Sequence, residues 1–242
     1  MVPDQSGERA ALFFDVDGTL IDIAPRPDDV VVPSQLLRSL RAAEHLCEGA
    51  LALVSGRTIA NIDRLFSPLR LRASGVHGAE IRFDPDGETT IEPAHLLPSA
   101  LVENVRAIAG QHFGTLVEDK RFSVALHYRH APDAGPALRT RLEEMIGASG
   151  LPDMRLMPGH MVFEIKRAGF DKGQAIRRLT ERAPFAGRRP VFLGDDVTDE
   201  PGFTEVLRQG GYAVSVGREF PAQTASLPGP AAVREWLSSL AR

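Results

Sequence analysis

Two aspartates one residue apart, Asp15 and Asp17, end a short apolar run: residues 11–20 read ALFFDVDGTL. Four apolar residues leading straight into an acid describe a strand buried on both faces of a parallel sheet. Acids at the end of such a strand belong at the carboxyl edge of the sheet, where open α/β folds place their ligands. Carboxylates this close repel, so a cation or a chemical use is needed to hold them there. A second acid-rich run follows a second apolar stretch. Residues 190–193 (PVFL) lead into Gly194, Asp195, Asp196, Val197, Thr198, Asp199 and Glu200. Three aspartates and a glutamate so close together are costly without a cation.

The elements that must position these acids follow from the apolar pattern. Residues 50–54 (ALALV) read as another buried strand, with Ser55, Gly56 and Arg57 at its tip. A helix starts near Thr58, and its N-terminus would add partial positive charge there. Between these strands Leu36, Leu37, Leu40, Ala43 and Leu46 recur at helical spacing, with Ser34 as the expected N-cap. Prolines 25, 27 and 33 exclude regular helix from 21–33. His77 lies between Gly75 and Gly78, as a loop or packing residue or one that lines a site. Lys172 precedes Gly173 and a helix pattern, residues 212–216 (YAVSV) read as the last strand, and 231–240 as a closing helix that buries Trp236.

The composition shifts at 83–90 (FDPDGETT), which is polar and turn-rich. Beyond it the pattern is helix (97–113), strand (114–118), strand (122–128), helix (137–146) and two more strands (154–157, 161–165). Hairpins of adjacent strands favour an antiparallel sheet with two helices on one face. The expected class is therefore α/β, a Rossmann-like parallel-sheet core with an inserted smaller α+β domain. The expected bounds are 1–82 and 167–242 for the core and 83–166 for the insert.

The bulk properties fit a globular protein of this size. The 242 residues carry a net charge of −4, which argues against a nucleic-acid partner. The single cysteine, Cys47, excludes an intrachain disulfide. No apolar run approaches the roughly 20 residues that span a bilayer. The first ten residues hold acids and no hydrophobic segment, so no signal peptide is expected and the cytoplasm is the expected compartment. A monomer is the default expectation.

The run DVDGTL after an apolar strand resembles the first motif of the haloacid dehalogenase superfamily of phosphotransferases. Ser55-Gly56-Arg57 at a strand tip matches its second motif, FDKGQAI around Lys172 its third, and GDDVTDE its fourth. The loop DIAPRPD, the runs GVHGAEIR, VEDK, ALHYR and MVFEIK, and the wording of GDDVTDE resemble trehalose-phosphate phosphatases in particular. The resemblance implies a parallel-sheet core with an inserted cap. It also implies a phosphorylated disaccharide as substrate, hydrolysed to trehalose and phosphate.

The roles this implies fall on named residues. Asp15 attacks phosphorus and forms an aspartyl-phosphate. Asp17 protonates the departing sugar oxygen, then takes a proton from water. Ser55, Lys172 and backbone N–H groups hold the phosphoryl oxygens, with Gly56, Arg57 and His77 beside them. Mg2+ is expected on Asp15, the backbone carbonyl of Asp17 and Asp195, with Asp196 and Asp199 in support. In the insert, Glu118, Lys120, Arg129 and Glu164 map to positions that bind sugar hydroxyls in that family. Alternating charges on strands also describe a plain solvated sheet face. Competing readings are a phosphatase acting on sucrose phosphate or mannosyl-phosphoglycerate, a phosphosugar mutase, and a non-catalytic sugar-phosphate sensor. The sensor reading expects loss of Asp15, Asp17, Lys172 or Asp195, and all four are present.

Overall fold

The computed structural model describes residues 9–24, 30–91, 96–159 and 161–240. The loop expected around Pro25 and Pro27, the first eight residues and His160 lie outside the described residues. The chain divides into two compact units, Met1–Ile91 with Phe170–Arg242, and Glu92–Gly169.

The first unit is built on β1 (Ala10–Phe14), α1 (Ser34–Leu46), β2 (Leu51–Val54), α2 (Ile59–Phe66), β3 (Arg72–Gly75), β4 (Glu80–Arg82) and β5 (Thr90–Ile91). The second unit holds α3 (Ser99–Ala109), β6 (Leu116–Asp119), β7 (Ser123–His127), α4 (Gly135–Ala148), β8 (Met154–Gly159) and β9 (Val162–Arg167). The chain returns to the first unit with α5 (Lys172–Thr180), β10 (Arg189–Gly194), α6 (Glu200–Arg208), β11 (Tyr212–Val216), β12 (Ala225–Leu227) and α7 (Pro230–Leu240).

The first unit's sheet has the order β12-β11-β10-β1-β2-β3-β4-β5. It is parallel from β12 to β3 and antiparallel at β3–β4 and β4–β5. β1 and β2 are apolar throughout because both faces are covered; β2 is buried at all four positions. The order places β1 between β2 and β10, with Phe14 beside Leu53 on one side and Leu193 on the other. Three strand tips with chemistry-bearing residues thereby come together at one sheet edge.

Four expectations change. The first boundary lies at 91/92 rather than 82/83, because the turn after β4 returns as β5, which pairs with it. The second lies at 169/170 rather than 166/167, since β9 runs to Arg167 and Ala168 N–H still donates to the Asp153 carbonyl. Ser34 is the first helical residue of α1 and not its cap; the Pro33 carbonyl takes the first turn's N–H groups from Leu36 and Leu37. Trp236 is only partly buried against Phe14, while Val233 and Leu237 are the buried side chains of α7.

The second unit is a four-stranded antiparallel sheet, order β6-β7-β9-β8. Val124, Leu126, Phe163 and Ile165 form one core with Leu101, Val105, Leu138 and Leu142 of α3 and α4. The two-residue period of a strand sends the alternate positions, Glu118, Ser123, His127 and Glu164, to the opposite face.

Candidate active site

Asp15 and Asp195 follow adjacent parallel strands, and the Asp15 N–H donates to the Leu193 carbonyl at 2.9 Å. Both carboxylates therefore leave the sheet at one edge. Lys172 arrives from α5, whose N-cap Asp171 accepts from the Gln174 N–H at 2.8 Å. Its Nζ donates to Asp15 Oδ1 at 2.6 Å and to Asp199 Oδ1 at 2.5 Å. Asp199 is fully buried, and its Oδ2 accepts from the N–H groups of Asp195 and Asp196, each at 2.9 Å. Thr19 Oγ1 donates to Asp195 Oδ1 at 3.0 Å. Gly18 has φ +81°, and a Cβ there would sit 2.1 Å from Asp195 Oδ2. Only glycine permits this approach.

One oxygen from each of Asp15, Asp195 and Asp199 lies within 4.8 Å of the others. Burial pushes the Asp15 carboxyl well above its ordinary value, opposed by the Lys172 ammonium and aided by the Asp199 and Asp195 charges. Burial raises Asp195 as well, against the Thr19 hydrogen bond. Burial alone would lower Lys172, but the charges and hydrogen bonds of Asp15 and Asp199 outweigh it and raise it. Three carboxylates facing one ammonium leave excess negative charge in a buried space. An all-oxygen donor set of this kind suits a hard divalent cation such as Mg2+, so the residues present fit the expected ion.

Of the expected set, the Asp15 and Asp195 carboxylates stand in the cluster, Asp17 is expected through its backbone carbonyl rather than its side chain, and the Asp196 carboxylate is not part of the cluster. Asp199, placed in support by the sequence, stands in the cluster itself. The Asp196 side chain caps the short turn after β10, accepting from Val197 N–H at 2.6 Å, because it is the residue that enters that turn. The Asp17 carboxylate takes a two-point ion pair from Arg57, with Nε to Oδ2 and Nη2 to Oδ1 both at 2.6 Å.

Ser55 is buried at the tip of β2. Its N–H donates to the Ser74 carbonyl at 2.9 Å, and its Oγ accepts from Arg57 N–H at 3.2 Å, leaving the hydroxyl proton to be given onward. The His77 ring lies against Gly56, where a Cβ would meet Nε2 at 2.7 Å. The turn that carries His77 closes on the same loop: Val76 N–H donates to the Arg57 carbonyl and His77 N–H to the Ser55 carbonyl, each at 2.9 Å. Gly56, Arg57 and His77 are thus brought together with Ser55. The N-terminus of α2 is already occupied by the chain's own groups. Thr58 accepts from Asn61 N–H, and the buried Glu80 carboxylate accepts from Ile59 N–H at 2.7 Å. Its partial positive charge is used there rather than offered outward.

In the second unit, Lys120 Nζ lies 3.7 Å from Glu164 and 3.9 Å from Glu118. Ser123 Oγ donates to Glu164 at 2.5 Å, and His127 Nε2 lies 3.2 Å from Glu118. Arg129 stands apart, exposed in the turn after β7. Sequence reasoning gave no role of their own to Thr19, Asn61, Glu80, Ser123 and His127. A signal existed for three of them. Thr19 closes the DGT run, Asn61 is four residues from Arg57 on one helix face, and the alternation of β7 puts Ser123 on the face that carries Glu164, diagonal to it across the strand pair.

A family model described as trehalose-phosphatase matches residues 13–227. The trehalose-6-phosphate phosphatase of Escherichia coli (strain K12) is 43% identical over 234 residues, covering 95% of this chain and 86% of that protein. The trehalose-phosphate phosphatase of Mycobacterium tuberculosis (strain H37Rv) is 32% identical over 250 residues, covering 96% of this chain and 61% of that protein. Among solved structures, the C-terminal domain of the C. albicans trehalose-6-phosphate phosphatase superposes with a TM-score of 0.78 at 23% identity. It covers 97% of this chain and 92% of that chain, and at that identity it speaks for the fold.

Proposed function

The chain belongs to the trehalose-phosphatase family, and we propose that it hydrolyses trehalose 6-phosphate to trehalose and phosphate. The observation that carries the chemistry is the buried cluster of Asp15, Asp195, Asp199 and Lys172 at the carboxyl ends of β1 and β10. A phosphate dianion repels an anionic nucleophile, and such a cluster supports attack only where positive charge gathers around it.

Mg2+ held by Asp15, Asp195 and Asp199 would supply that charge and orient the phosphate. Asp15 is the nucleophile: its oxygen forms a bond to phosphorus as the bond to the sugar oxygen breaks, leaving an aspartyl-phosphate. Asp17 gives its proton to the departing oxygen and then takes one from the water that cleaves the intermediate. The Lys172 ammonium and the Ser55 hydroxyl donate to phosphoryl oxygens. Asp196 orders the turn that carries Asp195 and Asp199. Sugar recognition falls to the second unit, where Glu118, Lys120 and Glu164 gather donors and acceptors on one sheet face, with Arg129 at its turn. A sugar site built this way rejects analogues that lack the matching hydroxyls.

The test is phosphate release from trehalose 6-phosphate, sucrose phosphate and glucose 6-phosphate, with Mg2+ and with EDTA. Rapid, metal-dependent release from trehalose 6-phosphate alone is the expected result. Metal-dependent release from a different sugar phosphate keeps the chemistry and discards the substrate. No release from the folded protein discards both.

A further inference from the structure

Arg57 is a motif residue whose expected place is on the substrate, yet its side chain is only 10% exposed and its forked edge is spent on Asp17. Its Nη1 donates to Asn61 Oδ1 at 3.0 Å. Asn61 sits one turn along in the first turn of α2, and that turn is fixed by two acceptors, Thr58 and Glu80. The Arg57 backbone is held as firmly, its N–H on Ser55 Oγ and its carbonyl taking the Val76 N–H. Val76 and His77 adopt left-handed φ values of 47° and 53° to close that turn. A β-branched residue in that region is strained, and such strain persists only where surrounding structure imposes it.

We infer that Arg57 is a positioning residue that orients Asp17 for proton transfer to the leaving oxygen, and not a ligand of the phosphate. The inference rests on the role given to Asp17 above. A carboxylate offers about four lone-pair sites, and the fork uses one on each oxygen. The remaining sites stay open to the proton that moves to the sugar oxygen as its bond to phosphorus breaks. Without the fork the Asp17 side chain rotates, and the proton is no longer aimed at the oxygen that needs it.

The leaving group separates the two roles. A sugar alkoxide leaves only with a proton, whereas 4-nitrophenolate leaves without one. General acid catalysis is worth about 10²–10⁴-fold. Arg57→Ala is therefore expected to lower kcat/KM for trehalose 6-phosphate by about 100-fold or more, and for 4-nitrophenyl phosphate by less than about tenfold. Arg57→Lys, which keeps the charge and loses the fork, should show the same split in smaller degree. The inhibition constant of inorganic phosphate should stay within about threefold, and Arg57→Ala should add little to Asp17→Asn. Equal losses on both substrates with weakened phosphate inhibition would overturn the inference in favour of a phosphate ligand. A full further loss in the Asp17→Asn background overturns it as well, since Arg57 would then act on something else. If Asp17→Asn alone leaves trehalose 6-phosphate turnover intact, the Asp17 role itself fails, which is a separate and distinguishable result.

Discussion

Replacing Lys172 with methionine keeps the length of the stem and removes the charge from between two carboxylates. The ammonium is 3% exposed, 2.6 Å from Asp15 and 2.5 Å from Asp199. At an effective dielectric constant near 20 each contact is worth about 6 kcal/mol of attraction, much of it offset by the cost of burying the ions. Removing one partner of a buried pair typically costs about 3–5 kcal/mol, because the other charge is left uncompensated. Here two neighbours are stranded, so the upper part of that range is expected. Urea unfolding in EDTA is the assay. With a slope near 3 kcal/mol per molar, the midpoint should fall by about 1.3–1.7 M. Adding Asp199→Asn to Lys172→Met should recover part of the loss. Asparagine keeps an acceptor for the Asp195 and Asp196 N–H groups and removes one stranded charge. The two changes are therefore predicted to be less than additive. A Lys172→Met midpoint within experimental error of the parent, or a double variant weaker than the sum of the singles, would refute the reasoning.

Asp15→Asn is expected to abolish turnover with the fold kept, measured by phosphate release and circular dichroism; a tenth of the parent rate would remove Asp15 as nucleophile. Glu118→Ala and Glu164→Ala should weaken turnover of trehalose 6-phosphate much more than that of 4-nitrophenyl phosphate, and equal losses would sink the sugar-recognition role. Gly18→Ala puts a methyl group 2.1 Å from Asp195 Oδ2 at a φ of +81°. Calorimetric Mg2+ titration should show affinity lower by about tenfold or more, since displaced supporting contacts cost about 10–100-fold at metal sites. An unchanged affinity would mean that Asp195 does not hold the ion. Arg82 is fully buried, forked onto Asp63 at 2.6 and 2.7 Å and bonded to the Leu71 carbonyl. Asp63→Ala should cost about 3–5 kcal/mol in urea unfolding, and a loss below about 1 kcal/mol would contradict the uncompensated buried charge it creates.

Local pattern settled a great deal of this protein. The runs ALFF, ALALV and PVFL are apolar at every position, which only a strand covered on both faces tolerates, and each ends in the residues that form the site. The helix-strand-strand-helix-strand-strand order of the insert, and the alternation that puts Glu118 and Glu164 on one face, were equally legible, because side-chain periods of 3.6 and 2 are written into the chain. The pairings were not. Arg57 meets Asp17 across 40 residues, and Lys172 meets Asp15 across 157, because the sheet order sets β2 and β10 on either side of β1. Glu80 caps α2 from 21 residues away, and residues 83–91 rejoin the first sheet rather than opening the insert. Asp196 and Asp199 have the same chemistry, yet one enters a turn as its cap and the other points back into the cluster. Sequence spacing fixes what each element buries. Which side chains then meet depends on how strands from distant parts of the chain stack beside one another, and that is decided only when the sheet is assembled.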